Sequence, residues 1–150
     1  MTALHGTCLD FAGFGVLLQG DSGSGKSDLA LRLINRGQAV LVADDYVRII
    51  KKQGRLYASP PETIAGRLEV RGAGIMRVDF APRTRLELVI ELVGASKVER
   101  LPDRSRTLTL AEGVELTKLD FYPFEVSAPD KLAMIVQTMR NDGWAEDIGE

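Results

Sequence analysis

A chain of 150 residues with 45% apolar side chains has the length of one domain, 1–150, and can bury a substantial core. Its net charge of −2 and pI near 5.5 provide no general basic footprint, which argues against nucleic-acid binding and makes any anion site a local one. Cys8 is the single cysteine, which excludes an internal disulfide and an all-cysteine metal site.

The first residues, Met1-Thr-Ala-Leu-His5, lack a basic segment followed by an apolar stretch, and no run approaches the length of a membrane span. A cytoplasmic protein without membrane contact is expected. Residues 7–11 and 15–19 are short apolar runs that read as two strands or a hairpin. They lead into Gly20-Asp-Ser-Gly-Ser-Gly-Lys-Ser27, which fits the G-x-x-x-x-G-K-[ST] phosphate-binding pattern at every position. Glycines there let successive N–H groups converge on phosphate oxygens, and a following helix adds its unpaired N–H groups and the positive end of its dipole. Gly20, Asp21, Ser22, Gly23, Ser24 and Gly25 are the expected cradle. Lys26 is expected to reach the β- and γ-phosphates, and the Ser27 hydroxyl to ligate Mg²⁺.

Leu29, Ala30, Leu33 and Ile34 recur at helical spacing, Asp28 favours the positive helix end, and Gly37 suits a C-terminal cap, so Lys26 to Arg36 is predicted to be a helix. Ala39-Val-Leu-Val-Ala43 reads as a strand covered on both faces, ending in Asp44-Asp45 beside the phosphate loop. Two carboxylates beside a polyphosphate repel it unless a cation intervenes or one holds a proton, so Asp44 and Asp45 are candidates for acid–base work or metal binding. Side chains of neighbouring strand residues diverge, so only one of the pair need face the phosphate. A hairpin is predicted for 47–51 and 56–58 around Gln53-Gly54, giving a mixed sheet. The polar, bendable stretch Arg67-Leu-Glu-Val-Arg-Gly-Ala-Gly-Ile75 is a candidate site loop.

Residues 86–92 read as a half-buried strand, and 114–119 as another. Between them, 96–107 is a polar loop carrying Lys97, Arg100, Arg104 and Arg106, either a solvated surface or a phosphate-facing one. Pro129-Asp130 opens a last helix whose Leu132, Ile135, Val136 and Met139 share one apolar face. His5 is the lone histidine. A guanine-type Asn-Lys-x-Asp motif is absent, which disfavours a GTPase switch. A P-loop small-molecule kinase is the alternative enzyme reading, because positioning and Mg²⁺ electrostatics serve any hydroxyl acceptor.

Four features in order, His5-Gly6, the phosphate loop, Leu41-Val-Ala-Asp-Asp45 and Leu68-Glu-Val-Arg-Gly-Ala-Gly-Ile75, closely resemble the catalytic domain of bacterial HPr kinase/phosphorylase. The resemblance covers most of residues 5–80 and continues weakly through Glu115-Leu-Thr-Lys-Leu119 to the last helix. It implies the phosphoenolpyruvate-carboxykinase-like version of the P-loop α/β fold, with a mixed sheet and flanking helices. It also implies ATP-dependent, Mg²⁺-assisted phosphorylation of a serine on HPr or an HPr-like phosphocarrier of a phosphotransferase system, its reversal by phosphate, and a homo-oligomer. Asp44 matches the acid–base residue, Ser27 and Glu69 match Mg²⁺ ligands with Asp45 beside them, and His5 and Arg104 match an active-site histidine and arginine.

This sequence departs from the family pattern in three places. Longer members carry an N-terminal domain ahead of this one, whereas this chain is similar to the short forms of alphaproteobacteria. After Ile75 the family usually makes a longer excursion, and Ser127-Ala-Pro-Asp-Lys131 stands where it carries Arg-Pro-Gly-Arg-Asn.

Overall fold

In the computed structural model, which describes residues 2–145, the apolar runs become strands of one mixed sheet with two helices packed on it. Thr7–Phe11 (after Thr2–His5, β1) is β2 and Phe14–Gln19 is β3, paired antiparallel with Phe11 opposite Phe14. The helix α1, Lys26–Asn35, follows the phosphate loop, and Gly37, at φ 70°, donates its N–H to Ile34 O just past the helix end.

Val40–Ala43 (β4) pairs with β2 at the end of the strand path, and Val40 is exposed. The expected two-sided burial of this strand therefore holds only for Leu41 to Ala43. Tyr46–Lys52 (β5) and Arg55–Ser59 (β6) form the predicted hairpin, and β1 adds to the far edge of β5. Arg67–Val70 (β7) and Gly74–Arg77 (β8) make a separate two-stranded sheet where a loop was expected.

Thr84–Leu92 (β9) lies at the centre. Its first two residues pair with β6, and the remainder runs parallel to β3 and to Val114–Phe121 (β11), itself paired with Thr107–Ala111 (β10). Ala128–Arg140 is the last helix, α2. Among the described residues, no helix is long and apolar enough to cross a membrane.

Three hairpins close through two-residue turns, Ala12-Gly13, Gln53-Gly54 and Glu112-Gly113, in which the non-glycine residue takes φ of 51°, 52° and 48°. Positive φ at both turn positions matches the right-handed twist of the flanking strands. The third turn carries β10, which starts at the last residue of the expected polar loop. The same X-Gly signal marks it.

Strand alternation splits the core in two. Val16 and Leu18 of β3 face α1 and α2 with Leu88, Ile90, Leu29 and Leu132, whereas Leu17 faces a second cluster with Val47, Ile49 and Leu56. Each such fully buried aliphatic side chain contributes about 1.5–3 kcal/mol of transfer free energy. Arg140, near the end of α2, donates to the carbonyls of Phe11 and Ala12, the latter at 3.0 Å, which ties α2 to the β2–β3 turn.

Cys8 is fully buried in the second cluster, and burial, aided by the nearby Asp10 carboxylate, pushes its thiol well above the usual range. The native protein should therefore resist alkylation at Cys8 until denaturant unfolds it. A thiol raised by folding gives its full stabilisation below its unfolded pKa and loses it as pH rises. Urea denaturation should show the wild-type protein losing stability, relative to Cys8→Ala, by about 1.4 kcal/mol per pH unit above roughly pH 8.5. Equal slopes for the two proteins would show that the thiol ionises freely in the native state.

Candidate functional site

The phosphate loop occupies the turn between β3 and α1, at the carboxyl end of a strand buried on both faces. Lys26 is 8% exposed, and its Nζ donates to Gly20 O at 2.8 Å and Asp21 O at 3.1 Å, so the ammonium sits within the loop's own carbonyls. Gly25 is the N-cap residue, at φ 102°, and no side chain caps the helix. Leu29 N donates to Gly25 O, so the amides ahead of it form the unpaired, electropositive start of a helix. A cavity of about 500 Å³ opens over them, lined by Gly23, Gly25, Lys26 and Ser27 on this side.

Asp44 faces them from just beyond β4. It is 8% exposed, and three donors converge on it: Thr7 Oγ1 at 2.9 Å and Ser27 Oγ at 2.7 Å on Oδ1, and Glu69 N–H at 3.2 Å on Oδ2. Asp45 takes φ 74°, which turns the chain out of strand geometry, and both aspartates line the cavity. The alternation expected of neighbouring strand residues therefore does not apply here. The Asp45 side chain meets His5 Nε2 at 3.0 Å, and His5 stands edge-on to Tyr46 at 5.2 Å.

His5, Lys26, Ser27, Asp44, Asp45 and Glu69 thus surround one cavity, with Ser22, Gly23 and Gly25 of the loop. Gly20 and Asp21 contribute the carbonyls that hold Lys26, and Ser24 packs against Gly20. Arg104 lies elsewhere. Its guanidinium stacks over Trp144 at 3.9 Å and lines a second cavity with Arg100 and Tyr122, while Arg106 pairs with Asp120 at 3.2 Å. None of the four cations of the 96–107 loop lines the first cavity.

The oxygen donors of Ser27, Asp45 and Glu69 around one anion-binding turn are the hard ligands Mg²⁺ takes. Among the described residues no group of three or more His, Cys, Asp or Glu is spaced to hold a metal. Mg²⁺ is compatible with that arrangement, since it uses one or two carboxylates and keeps water and phosphate as its other ligands. Thr7, buried and bonded to Asp44, was not singled out from the sequence, although a hydroxyl at the start of an apolar run is a signal for it. Phe124, which also lines the cavity, carries no sequence signal.

The sequence model of the family described as HPr Serine kinase C-terminal domain matches residues 1–149. HPr kinase/phosphorylase of Bordetella pertussis is 37% identical over 147 residues, covering 91% of this chain and 46% of that protein. The protein of the same name in Limosilactobacillus reuteri is 33% identical over 158 residues, covering 98% and 48%. The chain spans about half the length of these curated relatives. The solved structure of the Hpr(Ser) kinase/phosphatase from Coxiella burnetii superimposes with a TM-score of 0.84 at 27% identity, covering 95% of this chain and 98% of that one.

A Cβ on Gly25 would lie 2.9 Å from Phe124 Cζ and 3.1 Å from Pro123 Cγ, whereas one on Gly23, at φ 81°, meets nothing within 4 Å. Gly23→Ala should therefore cost only the backbone term, about 1–2 kcal/mol. Gly25→Ala adds overpacking and should cost about 2–4 kcal/mol in thermal or urea denaturation. Equal losses for the two would show that the Phe124 contact is not constraining.

Proposed function

This chain belongs to the HPr Serine kinase C-terminal domain family, and on that premise we propose that it transfers the γ-phosphoryl group of ATP to a serine of HPr or an HPr-like phosphocarrier. The fold is the phosphoenolpyruvate-carboxykinase-like P-loop α/β type. The observation that carries the reading is the 2.7 Å contact between Ser27 of the phosphate loop and the strand-end Asp44, both on one open cavity. A phosphate cradle alone fits many reactions. A carboxylate held against it, on the wall of an open cavity, fits attack by a hydroxyl.

An acceptor serine must lose its proton as its oxygen attacks phosphorus, and Asp44 takes that role. Its carboxylate offers roughly four acceptor positions, and the bonds from Thr7, Ser27 and Glu69 occupy three. In the reverse reaction phosphate attacks phosphoserine, pyrophosphate forms, and Asp44 returns the proton to the departing serine oxygen. Lys26 exchanges its loop carbonyls for phosphate oxygens and stabilises charge on the transferring group. Mg²⁺, held by Ser27 with Glu69 and Asp45, would neutralise charge on the phosphate oxygens. His5, oriented by Asp45, lines the acceptor side, and Arg104 would have to leave Trp144 to reach the phosphates. Residues 1–150 form the kinase domain, working in the cytoplasm as a homo-oligomer.

The test is to incubate the protein with labelled ATP, Mg²⁺, purified HPr and a metabolite panel, and to follow the label. It should appear on an HPr serine, and label on a metabolite alone would overturn the assignment. Lys26→Ala should lower kcat/KM by about 10²–10³-fold. Asp44→Asn should keep nucleotide affinity within a few-fold while kcat falls by about 10²–10⁴-fold, and near-normal turnover would remove Asp44 from the mechanism. Phosphoserine-HPr incubated with inorganic phosphate should release pyrophosphate.

A further inference from the structure

Because β3, β9 and β11 are parallel, their carboxyl ends leave the sheet at one edge. The phosphate loop follows β3, and Tyr122-Pro123-Phe124 follows β11. Ligands of open α/β sheets lie at that edge, spread across the loops that leave it. Phe124 lines the same cavity as Lys26 and Ser27, yet is 54% exposed. Its ring lies against Gly25, where even a Cβ would be 2.9 Å from it, and meets Tyr122 edge-on at 5.8 Å. The backbone on both sides is pinned to α1, since the Arg32 guanidinium donates to the carbonyls of Pro123 and Glu125.

An aromatic ring fixed in position by contacts that leave about half of it in water is not acting as core. Phosphates seated on the loop amides leave the ribose and base of a nucleotide to extend past the loop, into a cavity whose apolar lining is Phe124, Leu31 and Val70. The geometry points to Phe124 as the face on which the nucleobase stacks, a role that rests on the kinase reading above. Base–aromatic stacking tolerates any base, because every base has a π-face.

The experiment measures, by calorimetry in Mg²⁺, the affinities of ATP and of inorganic tripolyphosphate for the wild type, Phe124→Ala and Phe124→Leu. ATP affinity should fall about tenfold or more in Phe124→Ala, with tripolyphosphate unchanged within about twofold. Phe124→Leu, which keeps apolar bulk against Gly25 but has no π-face, should lose most of the same preference. Equal losses for both ligands would mean that the ring acts through the shape of the loop, and would overturn stacking. Unchanged ATP affinity with a raised KM for the acceptor protein would overturn it in favour of acceptor docking. A wild-type protein that bound neither ligand would sink the kinase reading itself, and this one with it.

Discussion

The carboxylate of Asp44 is the point on which three otherwise separate elements must agree. Thr7 arrives from β2, Ser27 from the first turn of α1, and the Glu69 amide from β7. An ionised carboxylate this far out of water costs several kcal/mol unless donors meet it. The buried position of Asp44 is therefore tolerable only when the strand, the helix start and the outlying hairpin are all in place. The β7–β8 hairpin gains most from this. Every residue of β8 is exposed, and the hairpin is anchored from below by Leu68 in the core and by the Glu69 amide.

The parallel trio β3, β9 and β11 then decides which loops meet. Their shared edge brings the phosphate loop beside the Pro123–Phe124 segment, with one cavity lined by Phe124 and a second by Tyr122 and Glu125. The first combines a helix start, Lys26, Arg71 and the four carboxylates of Asp28, Asp44, Asp45 and Glu69. The second is lined mainly by the 95–104 loop and α2, with Arg104 stacked on Trp144. The first takes its carboxylates from α1, the turn after β4 and β7, while the second takes Arg100 and Arg104 from the long connection after β9.

Much of this was legible in the sequence, for local reasons. The phosphate loop, α1, α2 and the hairpin at Gln53-Gly54 each carry their own periodicity or turn chemistry, and the apolar runs around Ala12-Gly13 read as two strands or a hairpin. The strand β1 was missed because four residues alternating about Leu4 make too short a pattern, and its existence depends on the edge of β5. The end position of β4 could not be read from an apolar run, since burial of Leu41 and Val42 on two faces comes from packing contributed elsewhere. The phosphate loop and Asp44, which line the cavity, are expected beside one another from motif and position. The meeting of Asp45 with His5 required the left-handed turn at Asp45, and the placement of Phe124 required β11 to lie parallel to β9. Neither is a local property.

The guanidinium of Arg140 on the carbonyls of Phe11 and Ala12 spans 128 residues or more of chain. A ribosome extends a polypeptide at about 5–20 residues per second, so the turn leading into the phosphate loop waits on the order of ten seconds for the side chain that clamps it. The bond between the first hairpin and the last helix can therefore form only once the final turn of α2 has been made.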